Sequence, residues 1–194
     1  LYGAGLPSGR LQVVQRDGGR VVGETVVETG SERHEPVSVR FDPEEGRDYI
    51  VKLKLAPAPR RQRFHLVVLG GNLAVAAPRD SIAFPGDGER VVTVAAVDPG
   101  GERKSYSSCG PTGPRTKPDF AAVVPFPTAL RPQPFSGTSA ATPQVAALAA
   151  LVLARHPEWA PRQVHAFLEK ASLDLGAPGV DCETGHGLAR LPAP

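Results

Sequence analysis

The sequence predicts an α/β fold for its second half, preceded by an antiparallel β-sandwich, with the change of character near residue 80. Before that point, short runs of β-branched and aromatic residues are separated by turns rich in Gly, Pro and Asp. After it, the continuous apolar run Val91–Val97 suits a strand covered on both faces, as in a parallel sheet flanked by helices. Two helical patterns follow, and strands mixed with helices in one segment argue α/β.

Taken in order, Leu11–Gln15, Arg20–Glu28, Val37–Phe41, Tyr49–Leu55 and Phe64–Leu69 read as strands. Turn signals divide them at Asp17-Gly18-Gly19, Gly30-Ser31, Asp42 to Gly46 and Pro57 to Pro59. The alternation is clearest in Tyr49–Leu55, with Tyr49, Val51, Leu53 and Leu55 on one face and Lys52 and Lys54 on the other. Short strands at this spacing predict a sandwich over residues 1–77. Residues 78–194 form the second predicted domain, with its first strand at Arg90–Val97 and a loop-rich stretch over 98–134. Ser139–Arg155 is almost wholly apolar and small, which predicts a helix buried on all sides, with Pro143 in its first turn. Pro161–Ala171 predicts an amphipathic helix, with Val164, Phe167, Leu168 and Ala171 at i, i+3, i+4 and i+7.

Composition narrows the function. The chain has 194 residues, 41% hydrophobic and 22% charged, the balance of a soluble globular protein. A net charge of +2, with Arg60, Arg61 and Arg63 as the densest basic patch, argues against a nucleic-acid partner. No apolar run reaches the roughly 18 residues of a membrane span, and Leu1–Arg10 does not read as a signal peptide. The sequence contains no Met, so Leu1 is not a translation start and the chain reads as a processed product, a fragment or part of something longer. Cys109 and Cys182 define no disulfide framework; paired and free states are both open.

The segment that carries chemistry is Phe135-Ser136-Gly137-Thr138-Ser139-Ala140-Ala141-Thr142-Pro143. It sets Ser139 at the start of the apolar helix, directly after a glycine turn. A helix N-terminus offers unpaired N–H groups and partial positive charge, which stabilise an oxyanion formed beside a serine. Small neighbours at Gly137, Ala140 and Ala141 admit a substrate backbone. From spacing alone, an N-cap is the favoured role of Ser139. The longer string Gly-Thr-Ser-Ala-Ala-Thr-Pro, continued by Gln144-Val145-Ala146-Ala147, resembles the nucleophile motif of the subtilisin-like serine proteases. The resemblance extends upstream through Val91–Asp98, Tyr106 to Pro111 and Lys117-Pro118-Asp119-Phe120. Downstream it takes in His156-Pro157, Pro161 to Val164 and Asp181 through Gly185-His186-Gly187, so it covers about residues 80–192.

The resemblance implies that Ser139 is the nucleophile of a serine endopeptidase and that residues 78–194 are the C-terminal part of its catalytic domain. Ala121-Ala122-Val123-Val124-Pro125 departs from the family's stretch after the Lys-Pro-Asp run. In the family the triad runs in the order Asp, His, Ser, and the signatures around the first two do not occur in this chain. Catalysis needs a base in reach of the serine and a third group to orient that base. His34 and His65 read as surface or strand-end residues, and His156, His165 and His186 fall at positions the family uses structurally. Asn72, 67 residues before Ser139, follows Gly70-Gly71 much as the family's oxyanion asparagine follows a glycine. Some bacterial members resemble a different arrangement, in which a β-sandwich is inserted between that asparagine and the nucleophile. On that reading Asn72 is a turn residue and the oxyanion asparagine lies upstream of Leu1.

No cofactor is expected. Calcium is common in the family, but Asp42 to Asp48 lacks the alternating oxygen ligands of a calcium loop, and Asp174 and Asp181 read as loop residues. The expected partners are a polypeptide substrate and the missing N-terminal part of the same protease, and the family leans toward secretion or the periplasm. Two further readings stay open: a non-catalytic scaffold whose sandwich binds protein or carbohydrate, and a nicked enzyme whose other fragment stays bound. The chain alone is expected to self-associate, because an uncovered sheet edge and helix face invite pairing.

Overall fold

In the computed structural model, which describes residues 6–28, 37–57, 64–71, 73–83, 85–110, 116–130 and 132–192, the chain folds as two compact units, Leu1–Leu73 and Ala74–Pro194. The first holds strands β1 (Gly9–Gln15), β2 (Val21–Val27) and β3 (Tyr49–Leu55), antiparallel in the order β2-β1-β3. The second holds β4 (Val94–Val97), β5 (Phe120–Val123), α1 (Thr138–Arg155) and α2 (Pro161–Ala171).

In the first unit the side-chain alternation of β3 is as the sequence predicts: Val51, Leu53 and Leu55 pack toward Leu6, Leu11 and Val27, while Lys52 and Lys54 are exposed. The β1–β2 hairpin turns through Gly18 and Gly19, both in the left-handed region that glycine adopts without steric cost. Two of the five expected strands are absent: Val37–Phe41 and Phe64–Leu69 form none. Val37 and Val39 instead pack, outside any strand, against the Leu6, Leu11 and Val27 core. The surface ion pairs Arg10–Glu24 (2.9 Å) and Arg16–Asp48 (3.4 Å) are exposed and contribute little.

The second unit is built on the parallel pair β4–β5, in register Val94↔Phe120 through Val97↔Val123. All four residues of β4 are buried, as an apolar run flanked on both faces requires. The strand is shorter than the Arg90–Val97 expectation. Val91 closes a turn instead, its N–H bonding the Gly88 carbonyl, and Val92 and Thr93 lie outside the strand, with the N–H of Thr93 taken by the side chain of Asp119. Phe120 is fully buried beneath both helices, in one cluster with Val94, Val124, Val145, Val152, Val164 and Leu168.

The second helix spans Pro161–Ala171, as periodicity predicts, with Pro161 at its start and the Gln163 side chain accepting the N–H of Ala160 at 2.9 Å. It buries Val164 and Leu168. The loop after it closes on the sheet at Gly187, whose carbonyl takes the N–H of Ala121 at 2.8 Å. Only glycine fits there: φ is +91° and a Cβ would stand 2.1 Å from the Leu173 carbonyl oxygen.

The long helix departs from its expected burial. Ala140, Ala141, Val145 and Val152 are buried, but Leu151 is 59% exposed and Leu153 is exposed too. The β4–β5 pair and α2 pack against α1, and among the described residues of the second unit nothing covers Leu151 and Leu153. An open apolar cleft of about 420 Å³, lined by Ala122, Phe126, Val145, Ala147, Leu148 and Leu191, runs beside the same helix. Among the described residues, no helix is long and apolar enough to cross a membrane.

Candidate active site

Ser139 is the second residue of α1 and is solvent-exposed. The cap position is Gly137, at φ 91° and ψ 168°, and no side chain caps the helix. This removes the N-cap role that spacing favours for Ser139. Its hydroxyl has no hydrogen-bond partner among the described residues. The first helical amides to bond within the helix are those of Ala140 and Ala141, both to the Gly137 carbonyl at 2.9 and 3.3 Å. The N–H groups of Thr138 and Ser139 are therefore orphan donors at the positive end of the helix dipole. No acidic side chain stands in the first turn to neutralise that end.

The turn is held from two sides. Gln144, one turn on, donates from its amide to the Val123 carbonyl (3.0 Å) and the Ala140 carbonyl (2.9 Å), tying the start of α1 to the end of β5. Tyr106 reaches the other side, accepting the Gly137 N–H at 3.3 Å. Pro143 sits in the second turn, not the first, so the Ser139 carbonyl has no N–H four residues on to bond. Thr142 lies on the same turn and donates its hydroxyl to the Thr138 carbonyl at 3.0 Å.

The histidines of the second unit are engaged elsewhere. His156 stacks on Trp159 with ring centroids 3.9 Å apart. His165 places Nε2 3.4 Å from Asp119 Oδ1 and Nδ1 3.0 Å from Glu169 Oε1, while His186 places Nε2 3.1 Å from that same Glu169 oxygen. With both ring nitrogens facing carboxylates, His165 can donate to both only as the imidazolium. Its pKa is raised above 6.5 by the Asp119 hydrogen bond, against an opposing contribution from burial. Burial pushes the Asp119 carboxyl up, but hydrogen bonds from His165, Lys117 and the Thr93 N–H outweigh it and hold the group below 3.8. Lys117 closes the network from within, 2.6 Å from Asp119 Oδ2 and donating also to the Val91 carbonyl. None of these groups is bonded to Ser139. His34 and Asn72 lie outside the described residues.

Among the described residues, no group of three or more His, Cys, Asp or Glu side chains could hold a metal. In the two acidic segments weighed for calcium, Asp48 pairs with Arg16, and Glu44 lies 2.5 Å from Arg20. Asp181 accepts the N–H groups of Glu183 and Thr184 at 2.7 and 2.8 Å, and Asp174 accepts that of Gly179 at 2.8 Å. Cys109 and Cys182 are free thiols; burial pushes the Cys109 thiol up.

Local sequence did not reveal the Tyr106 contact, since nothing in a pattern joins a tyrosine to a glycine 31 residues on. The only local signal for the histidine network was the spacing of His165 and Glu169, four apart on α2.

The exposed serine thus stands in the first turn of a helix without a side-chain cap, beside a parallel strand pair, on an α/β frame. The family model described as "Subtilase family" matches residues 37–187, and the chain belongs to that family. A thermostable alkaline protease of Halalkalibacterium halodurans is 36% identical over 110 residues, 57% of this chain and 29% of that protein. A subtilisin of Bacillus pumilus is 32% identical over 107 residues, 55% of this chain and 38% of that protein. Among solved structures, a lanthipeptide protease is similar at 30% identity and a TM-score of 0.41, covering 55% of this chain and 41% of that one. The chain thus spans less than half the length of these relatives.

Proposed function

We propose that this chain is the nucleophile-bearing portion of a subtilisin-like serine endopeptidase. The observation that carries the reading is Ser139 itself: exposed, unbonded, and next to orphan amides at the N-terminus of α1. Ser139 Oγ attacks the peptide carbonyl, and a histidine outside residues 1–194, oriented by an aspartate also outside them, takes its proton. The Ser139 N–H donates to the oxyanion that forms. Collapse of the tetrahedral intermediate returns the proton to the leaving amine and leaves an acyl-enzyme, which water hydrolyses.

The uncovered face of α1 supports the second half of the reading. A helix of this composition exposing Leu151 and Leu153 calls for a covering element, and the rest of the protease domain is the natural one. Residues 1–77, built on one three-stranded antiparallel sheet rather than the two sheets of a sandwich, form an insertion; that the family match starts at residue 37, inside the first unit, favours an insertion over an appended module. No cofactor is required, the substrate is a polypeptide, and the compartment is secretory or periplasmic.

Fluorophosphonate labelling read by intact mass tests this. The chain alone is expected to stay unlabelled, whereas co-expression with the upstream part of the protease yields one adduct, abolished by Ser139→Ala. An adduct that survives Ser139→Ala overturns the nucleophile assignment. Full labelling of the chain alone overturns the placement of the base outside it.

A further inference from the structure

Tyr106 does something its surroundings do not require for packing. Its side chain is 51% exposed, so burial does not explain its place. Its hydroxyl lies 3.3 Å from the Gly137 nitrogen and 3.3 Å from Ser136 Oγ, the two residues before the helix that carries Ser139. Gly137 is the helix cap and holds a backbone conformation, φ 91°, that only glycine adopts freely. The same freedom lets it leave that conformation, and a change at the cap swings Thr138 and Ser139 with it.

Tyr106 stands on a fixed platform. The adjacent Ser107 is buried and its hydroxyl accepts the N–H of Ala96 in the middle of β4 at 3.0 Å. The Lys104 N–H bonds the Ala96 carbonyl at 2.9 Å, and the Ser107 N–H bonds the Lys104 carbonyl at 2.8 Å. The Arg103 guanidinium donates to the carbonyls of Lys104 and Ser107 from the other side. A chain of bonds therefore runs from β4 through the 103–107 loop to one phenol oxygen, and from there to the cap of the helix that carries Ser139.

We infer that Tyr106 is a positioning residue for Ser139: its hydroxyl locks the Ser136–Gly137 turn and so aims the Ser139 hydroxyl and N–H at a bound carbonyl. This rests on Ser139 being the nucleophile. It predicts a defect in orientation rather than in binding or folding, since Tyr106→Phe removes one oxygen and leaves the ring.

The test has two readouts. In this chain, amide exchange by NMR at Gly137 is expected to quicken about tenfold in Tyr106→Phe, with Phe120–Val123 unchanged. In the protease reconstituted with its upstream part, kcat is expected to fall about tenfold, with KM, the pH profile and the unfolding midpoint preserved. Unchanged exchange at Gly137 overturns the lock. Faster exchange with an unchanged kcat overturns the positioning role, as does a fall in kcat matched by a fall in the unfolding midpoint. Wild-type protease that neither turns over nor labels with fluorophosphonate sinks the nucleophile reading and the positioning role with it, and the exchange rate then still decides whether the phenol holds the turn.

Discussion

Replacing Asp119 with Ala is expected to destabilise the protein by about 3–5 kcal/mol, the range for breaking a buried ion pair from one side. Lys117 is 4% exposed, and its ammonium has two acceptors, Asp119 Oδ2 and the Val91 carbonyl. Removing the carboxylate leaves a buried charge with one carbonyl, and strips the Thr93 N–H of its 2.6 Å partner. It also takes away one of the two carboxylates facing His165. Set against a typical domain stability of about 5–15 kcal/mol, this is a large fraction. Asp119→Asn keeps an acceptor and is expected to lose less. Urea unfolding followed by circular dichroism at neutral pH measures both variants. A cost below about 1 kcal/mol for Asp119→Ala would mean that Lys117 finds water or another partner, so that the pair is not structural.

The parts of this fold legible in the sequence are those decided locally. Helix α2 runs over Pro161–Ala171 as its periodicity says, because Pro161, Gln163 and the apolar stripe all lie within the segment. Tyr49–Leu55 alternates as a half-buried strand should. Where the expectation failed, the deciding partner was distant in sequence. Val37–Phe41 has strand composition but forms no strand, and its Val37 and Val39 pack against a hydrophobic core contributed by Leu6, Leu11 and Val27. Ser139–Arg155 reads as buried all round, since composition reports what a helix is fit to bury and not whether its cover is present. Gly137 takes the N-cap position at positive φ, so the helix starts before Ser139, which becomes its second residue. Lys117, Asp119, His165, Glu169 and His186 come together from a loop end, a helix and the closing turn, and only His165 with Glu169 share a local spacing.

That network also makes stability depend on pH through His165, whose pKa the Asp119 hydrogen bond raises. It is faced by Asp119 at the start of β5, by Glu169 on its own helix, and by the edge of His186 from the closing loop, with the Phe120 ring 5.1 Å away and Lys117 behind Asp119. Its folded pKa is raised above 6.5, so its contribution is complete below that value and is lost as pH rises through the folded pKa. Asp119, held below 3.8, works the other way: its contribution is present above that value and is lost as pH falls through its folded pKa. Both are in force together between about pH 4 and pH 6.5. On raising the pH from about 6 to about 9, the wild-type protein is expected to lose about 1 kcal/mol more stability than His165→Gln, a value below that of a fully buried charge-assisted bond because the pair is partly solvated. Urea midpoints of the two proteins at both pH values give this difference directly, and the His165 ring protons, followed by NMR, should titrate above 6.5. Equal pH slopes in the two proteins, or a His165 titration at or below that value, would show that its two carboxylate contacts do not hold the imidazolium. The helix would then be held by apolar packing, with Val164 and Leu168 in the core cluster and Phe167 packed against it.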